Sequence, residues 1–228
     1  MSASVAIVAA AADGRALVSL RGGRATVFDA VTLEVTATGA VAVDAAAAAL
    51  FGAHLVIAHG DRLSVLELPG LTEVSTTTVP GLGALGGVAG ERLILPLDGA
   101  VALARIGSDG IALEQLAVAG AIEDALALDG ERALVFAGGA LQIVSVVSHR
   151  TLTRVSARVP AAPRLCGVAA THRMVWVARV DDSELTLLRL SDGRTFGYRA
   201  AAPITAALGH PLSPWLVDEI KYQVKQLA

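Results

Sequence analysis

The stretch Asp129-Gly-Glu-Arg-Ala-Leu-Val-Phe-Ala-Gly-Gly139 decides the fold of this 228-residue chain. Its centre, from Arg132 to Ala137, is a short apolar run of the length typical of a buried β-strand. An Asp-Gly pair precedes the run and a Gly-Gly pair follows it. Such pairs supply the positive φ angles that tight hairpins require. The stretch therefore predicts a buried strand joined to a neighbour on each side by a short turn.

The same arrangement recurs along the chain, which predicts a repeat protein. Comparable bulky runs begin at Arg15, His54, Arg92, Arg132 and Met174. Leu17, Leu55, Leu93, Leu134 and Val175 occupy the equivalent position, at spacings of 38, 38, 41 and 41 residues. A helical repeat would instead show apolar residues three and four apart and few turn pairs. Each repeat is therefore predicted to contain strands joined by tight turns.

Each bulky second strand is preceded by a run of smaller residues that we predict to be a first strand. These runs are Val5–Ala9, Val41–Val43, Gly86–Ala89, Ala125–Leu128 and Gly167–Ala170. A strand that is covered on both faces is apolar throughout, and this explains a hydrophobic content of 54% with a mean hydropathy of +0.62. Closing the sheets into a ring would also remove exposed sheet edges.

The repeat resembles those of the β-propeller superfamily, of the WD40-like or quinoprotein-like kind, over about residues 4–203. The resemblance lies in the strand and turn pattern, since no Trp-Asp dipeptide closes a unit. It implies an all-β, five-bladed β-propeller with four-strand blades of about 40 residues. Bacterial chains with a similar pattern include small propellers that accompany MoxR-type ATPases and von Willebrand-type domains.

Residues 204–228 follow the repeat, and we predict a linker and a short amphipathic helix there. Ser213-Pro214 is a helix-start signal, because Ser can cap a helix and Pro is tolerated in its first turn. Apolar residues spaced four, four and three apart then form one stripe, beside an adjacent Trp. A helix this short must pack on something. It either covers the propeller itself or binds another chain, through Trp215, Leu216, Ile220, Val224 and Leu227.

The charges are distributed unevenly, which points to a second candidate contact surface. Residues 1–144 carry seven Arg and fifteen acidic residues, a balance of −8, whereas residues 145–200 carry nine Arg and four acidic residues, a balance of +5. An Arg-rich sector suits an acidic protein surface or phosphate groups, although ordinary solvated surface would look the same. The candidate partner-binding residues in this sector are Arg154, Arg158 and Arg164.

Other ligand classes receive less support from the sequence. Asp44, Glu123 and Arg164 lie near the predicted first strands and either form a polar ring at the channel mouth or simply face water. The five histidines show no metal spacing, and a single cysteine, Cys166, builds no disulfide or cysteine zinc site. An aromatic content of 4% and a net charge of −3 argue against nucleic-acid binding.

These observations lead to one function hypothesis and two alternatives. No catalytic motif or phosphate loop is present, so we predict a non-enzymatic scaffold or adaptor that binds another protein, without a cofactor or metal. The alternatives are a lectin-like propeller for a small ligand or glycan, and a hydrolase on the same fold. The chain shows no transmembrane run and no positively charged signal start, so we expect a cytoplasmic protein with no membrane contact.

Overall fold

A computed structural model of the chain describes residues 7–10, 15–107, 110–155, 164–171, 174–181, 184–189 and 195–199. Within these residues, twenty strands form five four-stranded sheets, each antiparallel and each built from consecutive strands. The first sheet contains β1 (Ile7–Ala10), β2 (Ala16–Arg21), β3 (Arg24–Asp29) and β4 (Val35–Ala40). The second contains β5 (Ala47–Phe51), β6 (His54–His59), β7 (Arg62–Glu67) and β8 (Thr72–Thr78).

The remaining three sheets repeat this plan. The third contains β9 (Val88–Ala89), β10 (Arg92–Leu97), β11 (Ala100–Gly107) and β12 (Gly110–Gln115). The fourth contains β13 (Ile122–Ala127), β14 (Arg132–Ala137), β15 (Ala140–Ser145) and β16 (Thr151–Val155). The fifth contains β17 (Arg164–Thr171), β18 (Met174–Asp181), β19 (Glu184–Arg189) and β20 (Thr195–Arg199).

All five predicted second strands are confirmed as β2, β6, β10, β14 and β18. The predicted turn pairs after the first four of them close hairpins, and Gly22, Gly60, Gly99 and Gly138 have positive φ. One predicted first strand is wrong, because β5 spans Ala47–Phe51 and not Val41–Val43. The side chain of Val43 is 84% exposed, whereas Ala49 and Leu50 are buried against the neighbouring sheets. The predicted C-terminal helix lies outside the described residues.

Among the described side chains, three apolar clusters join the first four sheets in sequence, each lying between one sheet and the next. Val18, Val27, Leu55 and Ile57 belong to the cluster between the first and second sheets. A second cluster joins the second and third sheets, and a third joins the third and fourth sheets. The middle residues of β6, β10 and β14 are buried on both strand faces. This double burial explains why these strands are apolar throughout.

The third sheet departs from the common plan at Pro96. The backbone nitrogen of every second residue of β10 faces β9, and Pro96 has no N–H to donate on that side. Gly86 and Gly87 instead form a bulge opposite Ile94: Gly86 N donates to Ile94 O at 2.8 Å, and Ile94 N donates to Gly87 O at 2.9 Å. The innermost strand of this sheet is therefore only two residues long.

Candidate functional site

A chain of polar side chains lies between the first and second sheets, near the hairpin that joins β6 to β7. His59 ends β6, Ser64 is the third residue of β7, and Thr76 lies on β8. His59 Nε2 and Ser64 Oγ are 2.9 Å apart, and Ser64 Oγ and Thr76 Oγ1 are 3.0 Å apart. The register pairs Ser64 directly with Thr76 and places His59 two pairs further along, on the same face, so antiparallel pairing fixes both contacts.

The carboxylate of Asp44 lies at the outer end of this chain. Asp44 belongs to the connection between β4 and β5, and its Oδ1 is 3.9 Å from His59 Nδ1. Its side chain is 73% exposed, whereas that of His59 is 15% exposed and Ser64 is 3% exposed. The polar chain therefore runs from solvent at Asp44 to a buried hydroxyl at Ser64.

A cleft of about 460 Å³ opens beside these groups. Its polar lining consists of His59, Ser64 and Glu73. The rest of the wall is aliphatic and comes from both sheets and their connections: Ala40, Val41, Ala42, Ile57, Leu66 and Leu71. Protein sites for small ligands combine an apolar wall with a few convergent polar groups in this way.

A second cleft, of about 590 Å³, lies between the second and third sheets. Phe51 provides an aromatic face in it, and Glu91 and Arg105 provide charged groups. Gly107, Gly110 and the aliphatic side chains of β11 and β12 complete the lining. An aromatic face beside hydrogen-bonding charged groups suits a sugar ring better than the first cleft, whose lining contains no Phe, Tyr or Trp.

The first sheet exposes an unusual edge. Val31 is 85% exposed and Leu33 is 65% exposed in the loop between β3 and β4, and Val35 at the start of β4 is 58% exposed. All five outer strands are described, and β4 is the one among them without a charged residue; the others contain Glu73, Glu114, Arg154 and Arg199. Charged side chains on edge strands normally discourage pairing with another chain.

The predicted partner-binding residues are distributed differently from this edge. Arg154 is exposed on β16, where it lies opposite Gln142, and Arg164 begins β17. Arg158 and the tail residues Trp215, Leu216, Ile220, Val224 and Leu227 lie outside the described residues. Asp44 precedes β5 by three residues, whereas Glu123 is the second residue of β13. The three residues proposed as a polar ring thus do not hold equivalent positions in their sheets.

The described part of the chain contains neither a metal-binding cluster nor a helix that could span a membrane. No three His, Cys, Asp or Glu side chains come together there in a way that could hold a metal ion. Among the same residues, no helix combines the length and apolar character that crossing a bilayer requires.

Comparison with known proteins gives a fold and no closer relationship. No protein-family profile matches the chain, and no curated protein matches it. Solved structures do match: the Swd1 β-propeller domain of Myceliophteria thermophila has a TM-score of 0.60 at 11% identity, over 93% of this chain and 91% of that one. The WD40 domain of SCAP from fission yeast has a TM-score of 0.56 at 12% identity, over 90% and 57%. The chain has a β-propeller fold.

Propellers of quite different character are among the matches. The dihydro-heme d1 dehydrogenase NirN has a TM-score of 0.61 at 14% identity, over 87% of this chain but only 48% of its own. The chain therefore spans about half the length of that relative. Because a WD40 domain and a dehydrogenase match about equally well, the comparisons confirm the predicted β-propeller fold and say nothing about the activity of this propeller.

No sequence motif indicates the polar chain. Asp44, His59 and Ser64 are separated by 15 and 5 residues and belong to no motif. The strand register brings His59 and Ser64 together, and Asp44 approaches His59 from the connection between β4 and β5. A prediction of the register from the Gly60-Asp61 turn would place His59 beside Arg62 and Ser64 beside Ile57, and that step would have revealed the contact.

Proposed function

We propose that this propeller is a scaffold or adaptor in a multiprotein assembly and that it binds another protein through the first sheet. The observation that carries the proposal is the edge formed by Val31, Leu33 and β4, which we call the β4 edge. It combines exposed apolar side chains with an outer strand that has no charged residue. An extended segment of a partner can add to such a strand through main-chain hydrogen bonds, with side-chain contacts giving specificity.

The proposal extends to the form of the ring and its setting. We infer five blades in one closed ring over residues 1–203, supported by the sequential packing of the first four sheets through their apolar clusters. The assembly suggested by the sequence resemblance contains a MoxR-type ATPase and a von Willebrand-type domain protein, in the cytoplasm. The tail helix and the Arg-rich sector would add contacts to the same assembly.

A charge placed on the β4 edge tests the proposal. Val31→Lys with Val35→Lys introduces two solvated ammonium groups where a partner strand would lie. With the partner identified from the native host and purified, we expect binding to this variant to weaken by at least about tenfold, the equivalent of about 1.4 kcal/mol. Isothermal titration calorimetry with the full-length chain measures the affinity.

The matched control is Val74→Lys with Leu113→Lys. These residues are similarly exposed on β8 and β12, outer strands that already carry a charge. Unchanged affinity in the control and weakened affinity in the β4-edge variant would support the proposal. Equal affinities for the wild type and the β4-edge variant would contradict it.

A small-ligand or glycan-binding role is the second candidate, favoured by the cleft that contains Phe51, Glu91 and Arg105. Its volume lies within the range of ligand sites, about 300–1,000 Å³. A sugar that binds only the folded state would raise the thermal midpoint, and Phe51→Ala should abolish that rise. No rise with any member of a monosaccharide panel would count against this role.

A further inference from the structure

The polar chain between the first two sheets is not used by either proposed role. It places a hydroxyl, an imidazole and a carboxylate in the order that activates a nucleophile in acyl-transfer enzymes of unrelated folds. We propose that Ser64 is a nucleophile for the hydrolysis of short, uncharged carboxylic esters, with His59 as general base and Asp44 as the group that positions His59. This activity is independent of the scaffold role, which depends on the β4 edge.

The contacts define where the protons lie. The Asp44 carboxylate faces Nδ1 of His59, which favours the tautomer protonated at that nitrogen. Nε2 is then an acceptor, and Ser64 donates its hydroxyl proton to it across 2.9 Å. Because the Ser64 proton is already committed, Thr76 must donate its own hydroxyl proton to Ser64 Oγ across 3.0 Å. The Ser64 oxygen thus faces a base and a hydrogen-bond donor that stabilises negative charge on it.

The cleft defines the class of substrate. Its wall next to Ser64 and His59 is aliphatic, through Val41, Ile57 and Leu66, so it suits a short alkyl acyl group. Glu73 lies in the same wall and repels an anionic substrate. Ala42 also lines this wall and adds a further small apolar side chain to it.

The reaction consumes only the ester and one water molecule. Ser64 Oγ forms a bond to the ester carbonyl carbon while His59 Nε2 takes the hydroxyl proton. The C–O bond to the alcohol then breaks, and the same proton passes from His59 to the departing alkoxide. Water attacks the acyl-enzyme, gives one proton to His59, and releases the carboxylic acid as Ser64 recovers its proton.

Covalent labelling of the full-length chain tests this inference. A fluorophosphonate probe should form one bond from Ser64 Oγ to phosphorus with loss of fluoride, located on Ser64 by peptide mass spectrometry. His59→Gln retains a polar side chain and should slow labelling by at least about a hundredfold. The neutral ester p-nitrophenyl butyrate should be hydrolysed faster than a negatively charged succinate monoester of the same alcohol.

Two controls separate chemistry from folding. Ser64→Ala should lose labelling and ester hydrolysis, whereas Ser75→Ala, on the opposite face of the second sheet near Gly110, should retain both. Thermal unfolding shows whether each variant is folded, and labelling of the wild type gives a result even if a variant is not. No adduct on wild-type Ser64, or equal rates for the wild type and His59→Gln, would overturn the inference, whatever the outcome for the β4 edge.

Discussion

Gly86 lies at a close contact between the third and fourth sheets. Its carbonyl oxygen accepts a hydrogen bond from Ala127 N at 2.6 Å, which ties the bulge of one sheet to the first strand of the next. A Cβ atom at this position would lie 2.5 Å from Ala125 O and 2.9 Å from Ile94 Cγ2. The φ of Gly86 is not in the positive range that favours glycine. Glycine is therefore required here because a Cβ atom would clash with its neighbours.

We predict that Gly86→Ala lowers the free energy of unfolding by about 2 kcal/mol, because overpacking against fixed backbone costs roughly 1–3 kcal/mol. Chemical denaturation monitored by circular dichroism measures the change. Gly83→Ala is the matched control, since no atom lies within 4 Å of a Cβ built at Gly83 and its φ is not positive. Equal destabilisation by both substitutions would show that the close contact at Gly86 is not responsible.

Two carboxylates stabilise loops of the propeller by accepting backbone hydrogen bonds. Asp29 Oδ1 accepts from Thr32 N and from Val31 N, each at 2.8 Å, and these bonds hold the pKa of Asp29 below its usual value. At Asp129, partial burial raises the pKa, but hydrogen bonds from the Arg132 side chain and from Glu131 N outweigh it, so the pKa of Asp129 is lowered as well. Both groups are more easily ionised in the folded protein than in the unfolded chain.

This difference predicts a loss of stability in acid. A carboxyl group with a lowered folded-state pKa stabilises the fold above its unfolded value of 3.8, and that contribution disappears as the pH falls through the folded value. Asp129→Asn should therefore be less stable than the wild type at pH 7, and the two should converge near pH 2. Denaturant unfolding at a series of pH values measures both curves.

Glu34→Gln provides the comparison, because Glu34 is exposed on the same loop as Asp29 and its carboxylate takes part in none of the hydrogen bonds or ion pairs described among these residues. It should follow the wild-type curve at every pH. A constant gap between Asp129→Asn and the wild type down to pH 2 would contradict the assigned role of the Asp129 charge.

At the scale of the strand, the sequence predicts a strand correctly where an apolar run is bounded by a glycine-containing turn. The second strands were predictable because a buried run and a glycine turn both mark their ends, as at Arg132–Ala137. The first strand β5 was not, since Ala47–Phe51 is Ala-rich and Val41-Ala-Val looks more like a strand by propensity. Pairing with β6 decided the outcome, and no local pattern records that pairing.

Four of the five third strands have a polar residue at the same position, and the apolar character of these strands does not predict it. Thr26, Ser64, Gln142 and Thr186 all occupy the third position of a third strand, where the third sheet has Ala102. Gln142 is buried, donates to Ala119 O at 2.8 Å and accepts from Thr151 Oγ1 at 3.3 Å. In the fourth sheet, this position therefore provides Gln142, which hydrogen-bonds the segment connecting β12 to β13. In the second sheet, it provides Ser64, the hydroxyl of the polar chain.

For the whole molecule, the tail and the propeller are predicted to be separable. Deletion of residues 212–228 removes the predicted helix and should leave the melting temperature of the propeller within about 2 °C, because none of the described strands is removed. If the helix binds a partner, the deletion should also abolish co-purification of the partner that the full-length chain retains. Retained binding would remove the tail from that role.

The Arg-rich sector is tested in the same assay by Arg154→Glu, Arg158→Glu and Arg164→Glu together. Weaker binding would support an acidic partner surface, and unchanged binding would assign these residues to ordinary solvated surface. Neither outcome was predictable from the sequence, because it gives the charge balance of a segment but not the faces on which the charges lie.

Pro96 has no backbone N–H, and it lies opposite the segment through which the third sheet is hydrogen-bonded to the fourth. Its nitrogen donates nothing toward the segment before β9, in which Gly86 and Gly87 form the bulge and the carbonyl of Gly86 accepts a hydrogen bond from the next sheet. The attachment between two neighbouring units thus depends on an interruption inside one of them. Replacing that proline with another residue would add a backbone N–H donor to the third sheet. This donor would compete with Ala127 N of the fourth sheet for the carbonyl groups of the segment before β9.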